Sequence, residues 1–266
     1  MVEFIANDIN EFTNAVVAIT RHFHDAKPWW RGQADKEWNL RPSLYWRELG
    51  QKETNMTVRF RTMARARHVN CPQNQDVFLW LFLMQHYRLP TRLLDWSESP
   101  LVALFFAVED KAQDCSDAAI WALEPTELNS QQAGKKTIYT AGNSNIRQVF
   151  VEAFIRNPNN PDRRIISILT EQTDLRHMLQ QSAFTIHGKD DPINKLDDSA
   201  KYIAKIVIPS QYKVAFRQVL ALYGISRAVL FPDLENLAQE ITALEFNDLA
   251  QPGGAVDQGH SGPIAE

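Results

Sequence analysis

A short polar loop held between two wholly apolar segments constrains this chain more than any other feature. The loop lies within residues 85–107, QHYRLPTRLLDWSESPLVALFFA, and is flanked by residues 77–84, VFLWLFLM, and 101–108, LVALFFAV. A helix that is apolar on every side has no face to turn toward water. We therefore expect both flanking segments to be buried helices and the loop between them to be fixed by the core.

Polar side chains in that loop must find partners, because an unpaired polar group is costly inside a protein. The side chains concerned are Arg92, Asp95, Trp96 and Ser97. Positions that the core fixes this firmly suit a functional site, and they suit a structural ion pair equally well. Both interpretations are carried forward.

A helix is predicted to begin directly after this loop, with Ser99 as its N-cap and Pro100 in its first turn. Backbone N–H groups and the helix dipole favour an anion at such an end, either a phosphate or a carboxylate. The carboxylate of Asp95 is itself a candidate for that negative charge. The pattern is therefore compatible with a bound anion and with an internal one.

Composition excludes several classes of protein. The 266 residues are 44% hydrophobic, enough for one large domain, and a net charge of -4 provides no overall basic field for nucleic acid, although a local basic face remains open. The two cysteines, Cys71 and Cys115, form neither a disulfide framework nor a metal-binding pattern, which suits a reducing cytosol.

The sequence predicts neither secretion nor membrane insertion. Residues 1–12 lack the basic start and apolar run of a signal peptide, and each apolar segment is far shorter than the roughly 20 residues that span a bilayer. We expect a soluble, cytoplasmic protein with no membrane partner. Its oligomeric state is left open.

Periodicity and capping residues give an uneven mixture of helices and strands. Helices are predicted at residues 8–22, 48–68, 77–84, 99–108, 165–179, 211–223 and 233–244. Strands are predicted at residues 29–31, 92–95, 118–123, 150–155, 183–187, 202–208 and 227–231, and a long loop at 124–145. The fold class is therefore α+β: a single mixed domain over residues 1–247, with a small antiparallel-rich sheet flanked by buried helices. Residues 248–266 lack apolar periodicity and are predicted to be a disordered tail.

A second notable stretch precedes the loop. Residues 27–46 contain four of the seven tryptophans, a density that builds either a corner of the core or a stacking platform. In this stretch Arg31 directly precedes Gly32, where a ligand could approach the backbone closely. Pairing of Arg31 with an internal carboxylate is the structural alternative, and the residue types do not decide between the two.

Several kinds of catalysis are poorly supported. The seven histidines are scattered without H-E-x-x-H spacing, so no metal ligands are predicted. Ser97 has no G-x-S-x-G context and no evident base beyond His86, and Asp95 is the one acid that stands out for paired-carboxylate chemistry.

The remaining candidates share an affinity for phosphates and planar rings: arginine forks, a helix N-terminus and indole faces. These residues are Arg31, Gln33, Arg92, Trp96 and Ser97. If they converge in space, they suit a nucleotide or the end of a nucleic acid.

Three stretches of the chain resemble the FRG domain, a bacterial family named for a Phe/Tyr-Arg-Gly element. Residues 30–33, WRGQ, match that element with Trp in the first place, and residues 38–44 continue it as W-x-L-x-P-S-L. Residues 84–96 contain MQHY and LPTRLLDW, the most specific motif. Residues 176–185 look like the third motif, R-x-x-x-Q-Q-G-x-F-T, with Ser182 in place of the glycine. The resemblance extends over roughly residues 7–244.

The order of elements in this family is similar to that of ADP-ribosyltransferases. Under that analogy Arg31 holds the pyrophosphate or nicotinamide ribose of NAD, Ser97 orients the ribose, and Gln180 or Gln181 occupies the place of the catalytic glutamate. A glutamine there can neither act as a base nor stabilise an oxocarbenium ion. The analogy is one of fold and does not by itself establish transfer chemistry.

The leading hypothesis is an FRG-domain protein with a pocket for a nucleotide or NAD-type ligand, ADP-ribosyltransferase-like, in phage defence or a toxin system. A small nucleotide, a protein or a nucleic acid is the candidate acceptor. The predicted catalytic residues are Arg31, Ser97 and Gln180, and the predicted ligand-binding residues are Gln33, Trp38, His86, Arg92, Asp95 and Trp96.

The alternative hypothesis is a non-catalytic binding module whose motifs are structural, with Arg92 or Arg31 paired to Asp95. A nuclease ranks lowest, because the sequence lacks a metal-binding cluster of acids.

Overall fold

The backbone of the chain is organised around one long sheet. The computed structural model describes residues 1–155, 159–170 and 175–249. Within them the strands are β1 (Val2–Ile5), β2 (Trp29–Gln33), β3 (Leu93–Ser97), β4 (Ala118–Leu123), β5 (Tyr139–Thr140), β6 (Ile165–Leu169), β7 (Ser182–His187) and β8 (Ile203–Ile208). They form an eight-stranded sheet in the order β1-β8-β4-β2-β3-β7-β6-β5.

Helices of very different lengths connect these strands. They are α1 (Ile9–His22), α2 (Ser43–Trp46), α3 (Glu53–Ala64), α4 (Val77–His86), α5 (Pro100–Val108), α6 (Pro125–Ala133), α7 (Arg147–Val151), α8 (Leu175–Leu179), α9 (Lys213–Leu222), α10 (Arg227–Leu230) and α11 (Leu234–Leu249). No helix among these described segments combines the length and the apolarity that crossing a bilayer requires.

The prediction of a mixed domain of helices and strands is confirmed, whereas the predicted size of the sheet is wrong. The sheet is larger than expected and mixed: β1 pairs with β8 in parallel and β5 pairs with β6 in parallel, while the pairings between them are antiparallel. The outer strands β1 and β5 are only four and two residues long, too short to show a period of two in the sequence.

Three apolar clusters hold the helices to the sheet. One face carries Trp30, Ile120 and Ile206 beneath α1, α5 and α9. The second cluster joins α3, α4 and α7 to β3, β6 and β7. The third lies around the other side of the central strands, where Trp29 and Trp121 meet.

Residues with clear periodicity or caps fold as expected. Asp8 caps α1 by accepting hydrogen bonds from the N–H groups of Asn10 and Glu11, and Ser99 caps α5. The two apolar segments are helices α4 and α5, whose residues are all buried or half-buried, as their lack of a polar face predicts. Strand β4 is buried along its whole length.

Four predicted elements are wrong. The predicted loop at 124–145 contains α6, which Glu124 caps before Pro125, and the short strand β5. The predicted strand at 150–155 overlaps helix α7 and the turn after it. The predicted helix at 165–179 is strand β6 followed by α8, with residues 171–174 outside the described part of the chain.

The fourth error is the predicted strand at 227–231, which is helix α10, capped by the hydroxyl of Ser226. The errors at 150–155, 165–169 and 227–231 concern short apolar runs, for which spacing alone does not separate a strand from a buried helix, whereas helix α6 lies in a polar stretch without apolar periodicity. The predicted boundary of the domain at residue 247 stays a prediction. Helix α11 reaches Leu249, and the remainder of the predicted tail lies outside the described residues.

Gly32 allows α5 to lie directly on β2. A Cβ atom at this position would come within 1.9 Å of the carbonyl oxygen of Ala103 and within 2.6 Å of the backbone nitrogen of Ala107. Because both neighbours are backbone atoms of a buried helix, they have no side-chain freedom with which to move away. Strand β2 continues through Gly32 to Gln33, two residues beyond the predicted strand at 29–31.

We predict that Gly32→Ala strongly destabilises the fold by forcing α5 away from the sheet, at a cost of about 3 kcal/mol or more, as for overpacking of a core. Gly142→Ala is the matched control, because a Cβ there meets nothing within 4 Å. Urea denaturation measures both free energies of unfolding. Equal, small changes in the two variants would show that α5 does not rest on β2 as described.

Candidate functional site

A cleft of about 690 Å³ opens beside the point where β2 and β3 pair. Strands β2 and β3, both described in full, pair at only one position, Trp30 with Ser97. Strands β2 and β4, in contrast, pair over five residues. The cleft is lined by residues of β2, α2, the end of α4, β3, α5 and α8. It contains seven of the nine predicted site residues, namely Arg31, Gln33, Trp38, Asp95, Trp96, Ser97 and Gln180.

Arg31 spans the gap between the strands. Its Nη1 atom donates a 2.7 Å hydrogen bond to the backbone carbonyl of Asp95, and its buried Nε has no hydrogen-bond partner among the described residues. Burial lowers the pKa of Arg31, and the negative charge of Asp95 acts in the opposite direction. The guanidinium is thus held at the cleft by one neutral oxygen, with donor capacity left for a ligand.

The carboxylate of Asp95 is fixed from α4 rather than by an arginine. Gln85 donates from Nε2 to Oδ2 of Asp95 at 2.7 Å, and its own Oε1 accepts from the hydroxyl of Thr91 at 2.5 Å. Asp95 is nevertheless exposed to the cleft. The one hydrogen bond described to this carboxylate thus comes from a neutral amide, while Arg31 donates to the backbone carbonyl of the same residue.

Ser97 and Gln180 are joined directly. The hydroxyl of Ser97 donates to the backbone carbonyl of Gln180 at 2.7 Å and accepts from the N–H of Ser99 at 3.0 Å. The side chain of Gln180 donates from Nε2 to the carbonyl of Leu230 at 3.0 Å. Both groups are therefore engaged within the protein, and Ser97 lacks the base that a nucleophile needs.

The turn before β7 differs from the family pattern at one position. Ser182 stands where the pattern has glycine, and it begins β7 as the partner of Ser97. The left-handed conformation in this turn belongs instead to Gln181, with φ of 46°. The serine is compatible with this turn because it adopts an ordinary extended conformation.

Buried hydrogen bonds orient the other predicted residues of the cleft. Oε1 of Gln33 accepts from the indole of Trp121 at 2.7 Å. The indole of Trp96 donates to Oγ1 of Thr185 at 3.1 Å, and this hydroxyl also contacts Nε2 of His187 at 3.1 Å. These bonds engage the side-chain amide of Gln33 and the indole of Trp96 within the protein. Both residues therefore shape the cleft more than they offer free polar groups to a ligand.

Trp38 meets Trp46 edge to face, with ring centroids 6.0 Å apart, and both rings line the cleft. The ring of Trp46 is 50% exposed. An accessible indole at the wall of a cleft is a surface on which a planar ring can stack.

Arg92 is among the predicted ligand-binding residues, but the structure places it inside the core rather than in the cleft. Its guanidinium forms two hydrogen bonds with the carboxylate of Glu53, at 2.9 and 2.5 Å, and a third with the carbonyl of Val149. Glu152 lies 3.8 Å away. Burial acts to lower the pKa of Arg92, but the hydrogen bonds and charge of Glu53 outweigh it, so the pKa lies above its ordinary value.

His86 also lies outside the lining of the cleft. Its ring stacks edge to face between those of Tyr87 and His177, with centroid distances of 5.0 and 6.0 Å. Arg92 faces α3 and α7, and His86 faces α8, so both lie outside the lining of the cleft because of partners from distant parts of the sequence.

Four arginines of the cleft were missed by the sequence reasoning: Arg41, Arg47, Arg88 and Arg176. Arg41 forms a two-bond ion pair with Asp190, and Arg176 lies 4.6 Å above the ring of Phe231. Arg41 and Arg88 stand inside or beside the matched motifs, which was the available signal. A run of charge along a helix or loop is usually a solvated face, and their convergence is a property of the fold.

The cleft also contains two acids that the sequence reasoning did not single out, Glu109 and Asp110. Glu109 pairs with Arg227 at 2.6 Å; burial raises the pKa of Glu109, and Arg227 opposes that change. No group of three His, Cys, Asp or Glu residues in the described part of the chain is arranged to hold a metal ion.

Comparison with known proteins identifies one family. The FRG domain model matches residues 26–116, which include the first two motifs and the part of the cleft formed by β2, α2, β3 and α5. The third motif lies outside the matched residues. No curated protein and no solved structure matches the chain.

The buried pair of Arg92 and Glu53 leads to a stability prediction. Arg92→Leu leaves the carboxylate of Glu53 unpaired in the core, which is expected to cost about 3–5 kcal/mol. The control is Arg41→Leu, which breaks an equally direct pair whose side chains are 32% and 45% exposed and is expected to cost about 1 kcal/mol or less. Denaturant titration compares the two, and similar losses would contradict the structural role given to Arg92.

Proposed function

We propose that this chain, which carries an FRG domain over residues 26–116, binds a nucleotide-type ligand such as NAD in the cleft. The observation that carries the proposal is the convergence of Arg31, Ser97 and Gln180 on one cleft from three separate parts of the sequence. Had Arg31 been beyond side-chain reach of Ser97, a shared ligand would have been impossible. Instead, Ser97 pairs with the residue next to Arg31.

The charge of the cleft supports an anionic ligand. Five arginines and three acids line it, in a chain whose net charge is -4. The guanidinium groups of Arg47 and Arg88 form no hydrogen bond or ion pair with any described residue, and that of Arg31 keeps an unpartnered Nε. Arginine forks of this kind are suited to phosphate oxygens, to which they can donate two parallel hydrogen bonds.

The aromatic wall supports a planar ring in the same ligand. Trp38, Trp46 and Phe106 all line the cleft together with the cations. Stacking on an indole and pairing of phosphate with guanidinium are separate interactions, and a nucleotide satisfies both at once. A simple inorganic anion would use only the second.

For the reaction, we propose ADP-ribosyltransferase-like use of NAD, in phage defence or a toxin system. The bond between the nicotinamide nitrogen and the ribose carbon breaks, nicotinamide leaves with the electron pair, and a nucleophilic atom of the acceptor bonds to the ribose carbon and releases its proton to solvent. An oxocarbenium-like transition state needs a negative charge nearby. Gln180 cannot supply it, so we assign this role to the carboxylate of Asp95, which lines the cleft beside Arg31.

A non-catalytic binding module is the second candidate, and one observation favours it: the hydroxyl of Ser97 and the amide of Gln180 are both bonded within the protein. The structural pairing first expected for such a module is different in detail. Arg92 pairs with Glu53, and Arg31 donates to the backbone carbonyl of Asp95, not to its carboxylate.

Binding can be tested by titrating the protein with NAD in a calorimeter. Arg31→Gln removes a charged donor to phosphate, so we expect affinity to fall about 10- to 100-fold, the equivalent of roughly 1.5–3 kcal/mol for a hydrogen bond to a charged group. Arg21→Gln, an exposed arginine of α1 outside the cleft, should bind as the wild type does. Unchanged affinity in a folded Arg31→Gln variant would exclude this site.

Catalysis can be tested by measuring release of nicotinamide from NAD. Asp95→Asn keeps an acceptor for Gln85 but removes the charge, so we expect the rate to fall about 10²–10³-fold while NAD binding persists. Asp110→Asn makes the same charge change at another acid of the cleft and should retain most activity. Binding of NAD without any nicotinamide release by the wild type would instead establish the non-catalytic module.

A further inference from the structure

A strongly basic surface covers α3 and the turn that follows it. Residues 52–75 contain five Lys or Arg residues and a single acid, Glu53, while the whole chain has a net charge of -4. Glu53 is buried and neutralised by Arg92, so it contributes no negative charge to the outer face. The exposed side of α3 is therefore cationic without any acid of its own segment to balance it.

Two arginines on this surface are held side by side. Nη2 of Arg61 and Nη2 of Arg65 donate to the same atom, Oδ1 of Asn74, at 3.1 and 2.8 Å. Both guanidinium groups also lie over the ring of Trp80, at 5.5 and 5.6 Å from its centroid. No acid in the described part of the chain forms an ion pair with either arginine; their partners are neutral oxygens.

The close placement of Arg61 and Arg65 is electrostatically unfavourable when no anion is bound. Like charges spaced i and i+4 on a helix repel each other. The effect is visible in the pKa of Arg61, which burial lowers and the neighbouring charge of Arg65 lowers further. Anionic phosphates placed beside the two guanidinium groups would reduce the repulsion.

An exposed aromatic ring lies at the end of the same surface. The ring of Tyr87 is 54% exposed and meets that of His68, which follows α3, with centroids 5.8 Å apart. The hydroxyl of Tyr87 lies 3.4 Å from Nδ1 of His68. The next residue, Arg88, lines the cleft, so the basic surface reaches the cleft through Tyr87.

We infer that the surface formed by Arg61, Arg65, His68 and Tyr87 binds single-stranded nucleic acid. Arginines provide contacts to the phosphates, and the accessible ring of Tyr87 provides a platform on which a base can stack. An acidic protein segment would use the arginines but would gain nothing specific from an exposed tyrosine. The inference concerns a surface outside the cleft and does not depend on what the cleft binds.

The experiment is fluorescence anisotropy of a labelled 20-nucleotide poly(dT) strand titrated with the full chain at several salt concentrations. The double variant Arg61→Gln, Arg65→Gln should bind at least about tenfold more weakly. The slope of log K against log salt should fall by about 1.4, because two phosphate contacts are lost at roughly 0.7 each. Tyr87→Ala should weaken binding at least about fivefold without changing that slope.

The matched control is the double variant Arg21→Gln, Arg163→Gln. It makes the same charge change at one exposed arginine of α1 and at another that lies just before β6. It should bind like the wild type. Should the first double variant fail to fold, Arg65→Gln alone tests the same surface without disturbing the contacts of Arg61 with Trp80 and Phe154. An equal loss in the control, absence of binding by the wild type, or equally effective competition by poly-glutamate would overturn the inference, the last in favour of an acidic protein partner.

Discussion

The close approach of α5 to β2 at Gly32 determines where the cleft lies. Because the backbone of Ala103 occupies the space that a side chain would need, α5 is fixed over the centre of the sheet. Its first turn then lies beside the end of β3, where the N–H of Ser99 bonds to Ser97. The segment between the two buried helices is thus held at both ends, which fixes where its polar residues lie.

Two arginines of the family motifs have opposite roles because their surroundings differ. Arg92 finds two carboxylates within the core and is fully neutralised there, so it joins α3 and α7 to the central motif. Arg31 lines the cleft, where it meets one backbone carbonyl in a gap between strands, and its buried Nε has no partner among the described residues. Burial with a partner makes an arginine structural, and burial with too few partners makes it available to a ligand.

The sequence was sufficient for elements and sites that are defined by local signals. Asp8, Ser99 and the apolar runs of α4, α5 and β4 fix their own structure through capping and periodicity, and residues near the Arg-Gly and Leu-Asp-Trp motifs converged as expected. It was insufficient where the outcome depends on distant partners. The partner of Arg92 lies 39 residues away, and β6 could be recognised as a strand only from its pairing with β7. The same limit explains why the arginines that complete the cleft were missed.

The backbone carbonyl of Gln180, rather than its side chain, holds this residue at the cleft. Its carbonyl accepts the hydroxyl of Ser97, which ties the turn before β7 to β3, and any residue type could provide that carbonyl. A carboxylate at position 180 would instead face the carbonyl of Leu230, to which the amide now donates, and would leave two acceptors opposed. The side chain that suits α10 is therefore an amide. In the reaction that we propose, the negative charge is therefore assigned to Asp95 on β3, whose carboxylate accepts a hydrogen bond from the neutral amide of Gln85.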